Sequence, residues 1–346
     1  MSDDGAALGA RLRGHDLSAA PASLNLLESA TAEDREQSAA LLREVSPQAL
    51  GGEAPGHVIG ITGPPGAGKS TLLSALLHAW RGTAREAGGQ GQTVAILAVD
   101  PSSRRSGGAL LGDRARITHP GTGELDAADR GVLVRSTAAG ERLGGLAWPT
   151  RAAAHALAAA FDIVVIETVG VGQAETEIVD VADTVAVVVQ PGSGDALQFL
   201  KSGIMEIPDV LVVTKADLGQ LAVRTRRDLS AALRSLGSRS TPVLAVSSLP
   251  PPQGVDQLVA ALAEHRAGLD LSERRLRARR SGALAEYTHE HGERGLRALG
   301  GRHAAEALLA EQEPGLDVPA LVAALEERAG AEEKEKGPSG KKQGHP

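Results

Sequence analysis

Val58-Ile59-Gly60-Ile61-Thr62-Gly63-Pro64-Pro65-Gly66-Ala67-Gly68-Lys69-Ser70-Thr71-Leu72-Leu73-Ser74-Ala75-Leu76-Leu77 is the stretch on which the fold turns. Its first five residues, four of them β-branched, read as a strand, and its last seven, five of them Leu or Ala, as a helix. Between them lies the spacing G-x-x-x-x-G-K-S/T, the pattern of a loop that cradles phosphates. The chemistry needs this order. Glycines let successive backbone N–H groups converge on a phosphate, and the following helix adds the partial positive charge of its N-terminus. Lys69 is placed to reach a β/γ-phosphate pair, and the Ser70 hydroxyl to ligate Mg2+. Gly63, Pro64, Pro65, Gly66, Ala67, Gly68, Lys69, Ser70 and Thr71 are therefore the expected phosphate-binding residues.

Outward from this loop, short apolar runs alternate with helical stretches. The runs are 57–62, 93–99, 163–167, 184–189, 210–214 and 243–246; the helical stretches are 69–80, 150–161, 194–206, 221–236 and 257–262. This alternation predicts an α/β protein with a doubly wound, mostly parallel sheet. Right-handed crossovers put the carboxyl ends of all strands on one edge, where the loops gather. Aromatic residues are only 1% of the chain, so the core is expected from Val, Leu, Ile and Ala. Residues 1–56 read as a helical, partly disordered extension, with Thr31 as a helix N-cap and Gly51-Gly52-Glu53-Ala54-Pro55-Gly56 as a linker. The expected nucleotide-binding domain spans 57–266, a helical arm 267–330, and a disordered, charged tail 331–346. The basic run Glu273-Arg274-Arg275-Leu276-Arg277-Ala278-Arg279-Arg280 reads as a solvated helix face or a dimer contact, and His289 and His291 as surface residues.

Composition narrows the function. A net charge of −7 with few stacking aromatics argues against a nucleic-acid partner. The absence of cysteine excludes disulfides, thiolate metal sites and cysteine nucleophiles. No run approaches a membrane span, and the first residues lack the apolar region of a secretory signal, so a cytoplasmic location is expected.

Three further strand ends carry chemistry. Thr214-Lys215-Ala216-Asp217 follows the run at 210–214 and matches N/T-K-x-D. There a carboxylate accepts two hydrogen bonds from the guanine N1–H and exocyclic amine, a donor pair adenine lacks. Lys215 is expected along the base, bracing the phosphate loop, and Ser247 and Ser248 in a second guanine-contacting loop. Glu167, with Thr168-Val169-Gly170 after it, could hold Mg2+ through water or could simply cap its loop; the Gly170 N–H could meet the γ-phosphate. Asp100, before Pro101, could be a second carboxylate near Mg2+ or could fix a turn. Gln173 could orient the attacking water or make a dimer contact.

At these residues the chain resembles the MeaB/ArgK family of GTPases associated with methylmalonyl-CoA mutase, whose human relative serves the mitochondrial enzyme. The resemblance rests on GITGPPGAGKST (60–71), VDPSSRRSGGALLGDRARI (99–117), LGGL (143–146), IETVGVGQAETE (166–177) and GDALQFLKSGIMEIPDVLVVTKAD (194–217), with VSSLPPPQGVDQL (246–258) a looser match. It covers about residues 22–265 and implies a P-loop G domain of the SIMIBI class of dimerising NTPases. It further implies a homodimer with the helical arms in the contact. The implied activity is hydrolysis of Mg·GTP to GDP and phosphate, coupled to chaperoning an adenosylcobalamin-dependent acyl-CoA mutase, gating cofactor loading and protecting or reactivating the mutase. By position, Asp100, Asp113 and Glu167 fall on the family's acidic active-site residues, 170–177 on switch II, and 190–201, with Asp195, Gln198 and Lys201, on switch III. Departures are Thr214 in place of the usual Asn, the Pro64-Pro65 variant of the loop, divergence over 119–135, and Pro250-Pro251-Pro252. Relatives serve isobutyryl-, ethylmalonyl- and 2-hydroxyisobutyryl-CoA mutases.

Two other classes were weighed. An ATP-using kinase or ATPase linked to amino-acid transport would prefer adenine. A nickel-insertion or partition-type protein would carry Cys/His clusters or an extra Lys in the loop, where Pro64 and Pro65 stand.

Overall fold

The computed structural model describes residues 4–86, 91–100, 129–138, 146–168, 177–192, 208–235, 237 and 240–335, without the side chains of 83–86, 100, 138 and 332–335. Seven strands form one sheet: β1 (His57–Thr62), β2 (Val94–Asp100), β3 (Val132–Ala138), β4 (Ile163–Thr168), β5 (Thr184–Val189), β6 (Val210–Val213) and β7 (Val243–Ala245). They run in the order β3-β2-β4-β1-β5-β6-β7, and every pairing is parallel. The doubly wound sheet is therefore borne out, and six of its strands coincide with the apolar runs. The seventh, β3, carries Arg135, Ser136 and Thr137, which an edge strand tolerates because one side is unpaired. Arg135 forms an ion pair with Glu28.

The strands are apolar on both faces because helices cover both. In the first core Val58, Val164, Ile166, Val185 and Val187 pack under α1 (Gly5–Arg13), α2 (Ala20–Glu28), α3 (Ala32–Glu44) and the Ala-rich α6 (Trp148–Ala158). In the second, Ile59, Ile61, Ile163, Val165, Ala186 and Val188 face α5 (Lys69–Glu86) and α8 (Val255–Ala267). Between α3 and β1 lies the one-turn α4 (Pro47–Leu50), and α7 (Gln220–Ser235) joins the first core through Leu229 and Leu233. The N-terminal helices thus close one face of the sheet. Thr31 caps α3, its Oγ1 accepting from the Asp34 N–H at 3.1 Å.

A third core, of Leu284, Tyr287, Leu296, Leu309, Leu321 and Leu325, unites α9 (Leu271–Ala298), α10 (Arg302–Glu311) and α11 (Val318–Glu335). α11 runs past Gly330 through the helix-favouring AEEKE, and 336–346 lie outside the described residues.

The basic run on α9 is a correction. Most of it is not a solvated face. Arg275 is buried and grips Asp183 with both Nε and Nη2, at 2.8 and 2.7 Å. It also donates to the carbonyls of Ala54 and Gly56. Arg279 pairs with Glu53 through two bonds of 2.9 Å, and Arg274 reaches Asp209 at 3.1 Å. Of its arginines, Arg277 is the one left strongly exposed, its side chain 74% accessible beside Glu273 at 64%. The cause lies elsewhere in the sequence: Glu53, Asp183 and Asp209 supply carboxylates at the amino ends of the strands. The same contacts pin the 51–56 segment instead of leaving it a loose linker.

Candidate nucleotide site

Strand order reverses about β1, which has β4 on one side and β5 on the other. A ligand crevice is expected outside the carboxyl ends at such a point. The phosphate loop occupies it, joining β1 to α5. Gly63 has φ of 146°, and a Cβ there would stand 2.0 Å from the Val188 carbonyl oxygen, so only glycine lets the loop leave β1 against β5. Gly66 and Gly68 follow at φ of 75° and 89°. The ammonium of Lys69 is buried in the loop, donating to the carbonyls of Gly63 at 2.7 Å and Pro64 at 3.2 Å. Pro65, Gly66 and Thr71 are exposed, while Ala67 is fully buried in the second core.

Parallel register sets Glu167 beside Ile61, one residue from the end of β4. Its buried carboxylate accepts from Ser70 Oγ at 2.9 Å, and Thr168 Oγ1 donates to Thr62 Oγ1 at 2.9 Å. Ser70 and Glu167 thus offer hard oxygen donors next to each other at the mouth of the loop, the donor type that suits Mg2+. Asp100 ends β2 on the same edge, beside β4, and its side chain lies outside the described residues. Asp113, Gly170, Gln173, Asp195, Gln198 and Lys201 lie outside them altogether.

The N/T-K-x-D motif emerges from β6 on the same edge. Asp217 is exposed and its Oδ1 accepts from Ser247 Oγ at 2.8 Å. Ser247 is buried, its N–H and C=O paired with Gln253, and Ser248 is half-buried beside it. Lys215 sits at φ of 52° and extends across the loop to the Gly66 carbonyl at 3.3 Å and Gln190 Oε1 at 2.6 Å. Thr214, the first residue of the motif, turns inward. Its side chain is buried, and Oγ1 lies 2.6 Å from the Ala67 carbonyl and 3.1 Å from that of Val189. It braces the phosphate loop from beneath and does not face outward with Asp217.

Sequence reasoning did not single out Gln190 as the partner of Lys215, nor Arg151, whose Nη2 donates to Glu177 Oε2 at 2.8 Å. Gln190 follows an apolar run directly, a usable signal; Arg151 carried none. His291 is half-exposed, 3.1 Å from Glu326 and tilted over the Tyr287 ring.

A strand, a glycine loop and a helix with Lys69 and Ser70, set between an acidic strand end and the strand end that carries Thr214-Lys215-Ala216-Asp217, define a P-loop nucleotide-binding protein. A family model described as methylmalonyl Co-A mutase-associated GTPase MeaB matches residues 20–296, and the chain belongs to that family. A putative GTPase of Pyrococcus abyssi is 42% identical over 249 residues, 70% of this chain and 71% of its own. A probable GTPase of Mycobacterium tuberculosis is 38% identical over 268 residues, 75% and 74% of the two chains. The mouse mitochondrial methylmalonic aciduria type A homolog is 39% identical over 189 residues, 53% of this chain and 41% of its own. Among solved structures, one titled LAO/AO transport system kinase superposes with a TM-score of 0.61 at 26% identity, covering 94% of this chain and 98% of its own. Among the described residues no helix is long and apolar enough to cross a membrane.

Proposed function

We propose that the protein binds Mg·GTP at this edge, hydrolyses it to GDP and phosphate, and uses the cycle as a G-protein chaperone of an adenosylcobalamin-dependent acyl-CoA mutase. The observation that carries the guanine reading is Asp217: an exposed carboxylate held by Ser247 Oγ, on the same sheet edge as the phosphate loop. One carboxylate oxygen is oriented by the serine. Two N–H groups of guanine satisfy it, whereas adenine would leave it unpaired.

The remaining residues divide the work of phosphoryl transfer. The loop N–H groups and Lys69 would grip the β- and γ-phosphates, Lys69 exchanging its bonds to Gly63 and Pro64 for phosphate oxygens as charge builds on them. Ser70 would hold Mg2+ directly and Glu167 through water, and the ion would neutralise the phosphate oxygens. Asp100 and Asp113 are proposed as further carboxylates near it, Gly170 as a γ-phosphate contact, and Gln173 as the water-orienting residue. Lys215 would stack its aliphatic stem along the guanine ring. The reading extends to a mutase as partner, supported by the name of the family, and to a homodimer, which rests on the resemblance alone.

The decisive measurement is a titration of the purified protein with fluorescent guanine and adenine nucleotides in magnesium. Guanine binding should exceed adenine binding by about a hundredfold or more, and Asp217→Ala should erase the gap. Equal affinity for both bases would defeat the proposal and favour the transport-kinase alternative. A parallel pull-down of acyl-CoA mutases with a GTP analogue or GDP tests the partner.

A further inference from the structure

β3 and β4 both end at the nucleotide edge, and the chain leaving each returns to the described structure at Leu146 and at Glu177. These two return points are fastened to one another. Glu177 Oε2 accepts from the Leu146 main-chain N–H at 2.9 Å and from Arg151 Nη2 at 2.8 Å. Arg151, in the first turn of α6, also donates from Nε to the Leu146 carbonyl at 3.3 Å. One carboxylate and one guanidinium thus close a ring on the main chain of a single residue, Leu146. Both charged bonds to Glu177 are of the strong, charge-assisted kind, and Arg151 is only 16% exposed.

The ring is tied in turn to the strand that carries the phosphate loop. Ile178, next to Glu177, is fully buried over Gly60 of β1, so closely that a Cβ on Gly60 would fall 2.7 Å from its Cδ1. Two residues further on, Asp180 lines one cavity with Ser281 of α9, together with Leu146, Arg151 and Glu177. The path from β4 to the helical arm therefore passes through Glu177.

We infer that Glu177 is a positioning residue of the nucleotide cycle, working with Arg151 to fix where the segments after β3 and β4 re-enter the fold. The inference rests on the GTPase reading above. Eight residues separate Thr168 from Glu177, so the position of Glu177 bounds what that stretch can reach at the phosphate edge. A merely structural ion pair at a partly exposed site contributes little. What sets this one apart is that its carboxylate also holds a main-chain N–H of the other segment.

The test compares wild type, Glu177→Gln, Glu177→Ala and Arg151→Lys in single-turnover GTP hydrolysis, nucleotide affinity and amide hydrogen exchange. Gln keeps an acceptor for the Leu146 N–H and loses the charge; Ala loses both. Glu177→Ala should slow hydrolysis about tenfold or more, with GTP and GDP affinities changed less than about threefold. Exchange at Leu146 should accelerate in Glu177→Ala and stay near wild type in Glu177→Gln. Wild-type hydrolysis by Glu177→Ala would overturn the inference alone, since the wild-type arm would still show a GTPase. So would a loss of affinity and Tm in step with rate, which marks a structural role. A wild-type protein that does not turn over GTP would overturn the reading beneath it, and this inference with it.

Discussion

The two edges of the sheet are built from the same strands and treat charge in opposite ways. At the carboxyl edge Lys69 and Lys215 bond main-chain carbonyls and one amide, and Glu167 and Asp217 are each oriented by one serine hydroxyl. At the amino edge Asp183, 1% exposed, takes two bonds from Arg275 and one from the Val58 N–H. Asp209 collects the Val185 N–H, Arg274 and His265. Burial alone would raise both carboxyls, but the bonded Arg275 and Val58 hold Asp183, and His265 and Arg274 hold Asp209, below the usual carboxylate range. The lesson is one of exchangeability. Ammonium groups bonded to carbonyls give up those bonds to a phosphate cheaply; bidentate guanidinium–carboxylate pairs, fully desolvated, do not open without leaving a bare charge.

The largest test of this contrast pairs one variant from each edge. Arg275→Met leaves Asp183 buried without its guanidinium and should cost about 3–5 kcal/mol of unfolding free energy, read by urea denaturation. Nucleotide affinity, measured where the variant is still folded, should stay near wild type. Lys69→Ala should do the reverse, cutting hydrolysis by about 10²–10³-fold with little change in stability. If Arg275→Met abolished nucleotide binding in folded protein, the edges would not be separate.

Much of the carboxyl edge was legible in the sequence because its residues are local. Gly63 to Ser70 form a spacing, and Lys215 and Asp217 a motif, each at the end of a β-branched run. The amino edge was not legible. Arg275 and Asp183 are 92 positions apart, and nothing in a run of arginines distinguishes a solvated face from a buried clamp. β3 was missed for a related reason, since an edge strand needs no continuous apolar run. The orientation of Thr214 also depended on tertiary contact, because only the fold places Ala67 beneath its hydroxyl.

The amino edge should also give stability a pH dependence. Burial, with Arg266 and Arg275 nearby, pushes His57 down from 6.5 to about 4, against the pull of Asp183. Burial likewise pushes His155 down to about 3. In both cases the unfolded chain binds the proton that the native state refuses. The contribution is therefore complete above 6.5 and is lost as pH falls toward the folded values. Each histidine adds a slope of up to about 1.4 kcal/mol per pH unit in that window. Urea denaturation at several pH values between these limits should show the slope, and His57→Gln should flatten it. An unchanged slope in that variant would mean that His57 is not protected from protonation as its burial requires.

The smallest effect separates support from recognition within the nucleotide edge itself. Thr214→Val keeps shape and removes the hydroxyl that meets the Ala67 and Val189 carbonyls. A buried carbonyl losing its donor costs about 1–3 kcal/mol, part of which relaxes into the loop. Because Ala67 belongs to the phosphate loop, the variant should weaken GTP, GDP and any adenine nucleotide alike, by about tenfold at most. The ratio of guanine to adenine affinity should not move, since Asp217 and its Ser247 partner are untouched. A selective loss of guanine affinity would place Thr214 in contact with the base and would make the hydroxyl a reader instead of a brace.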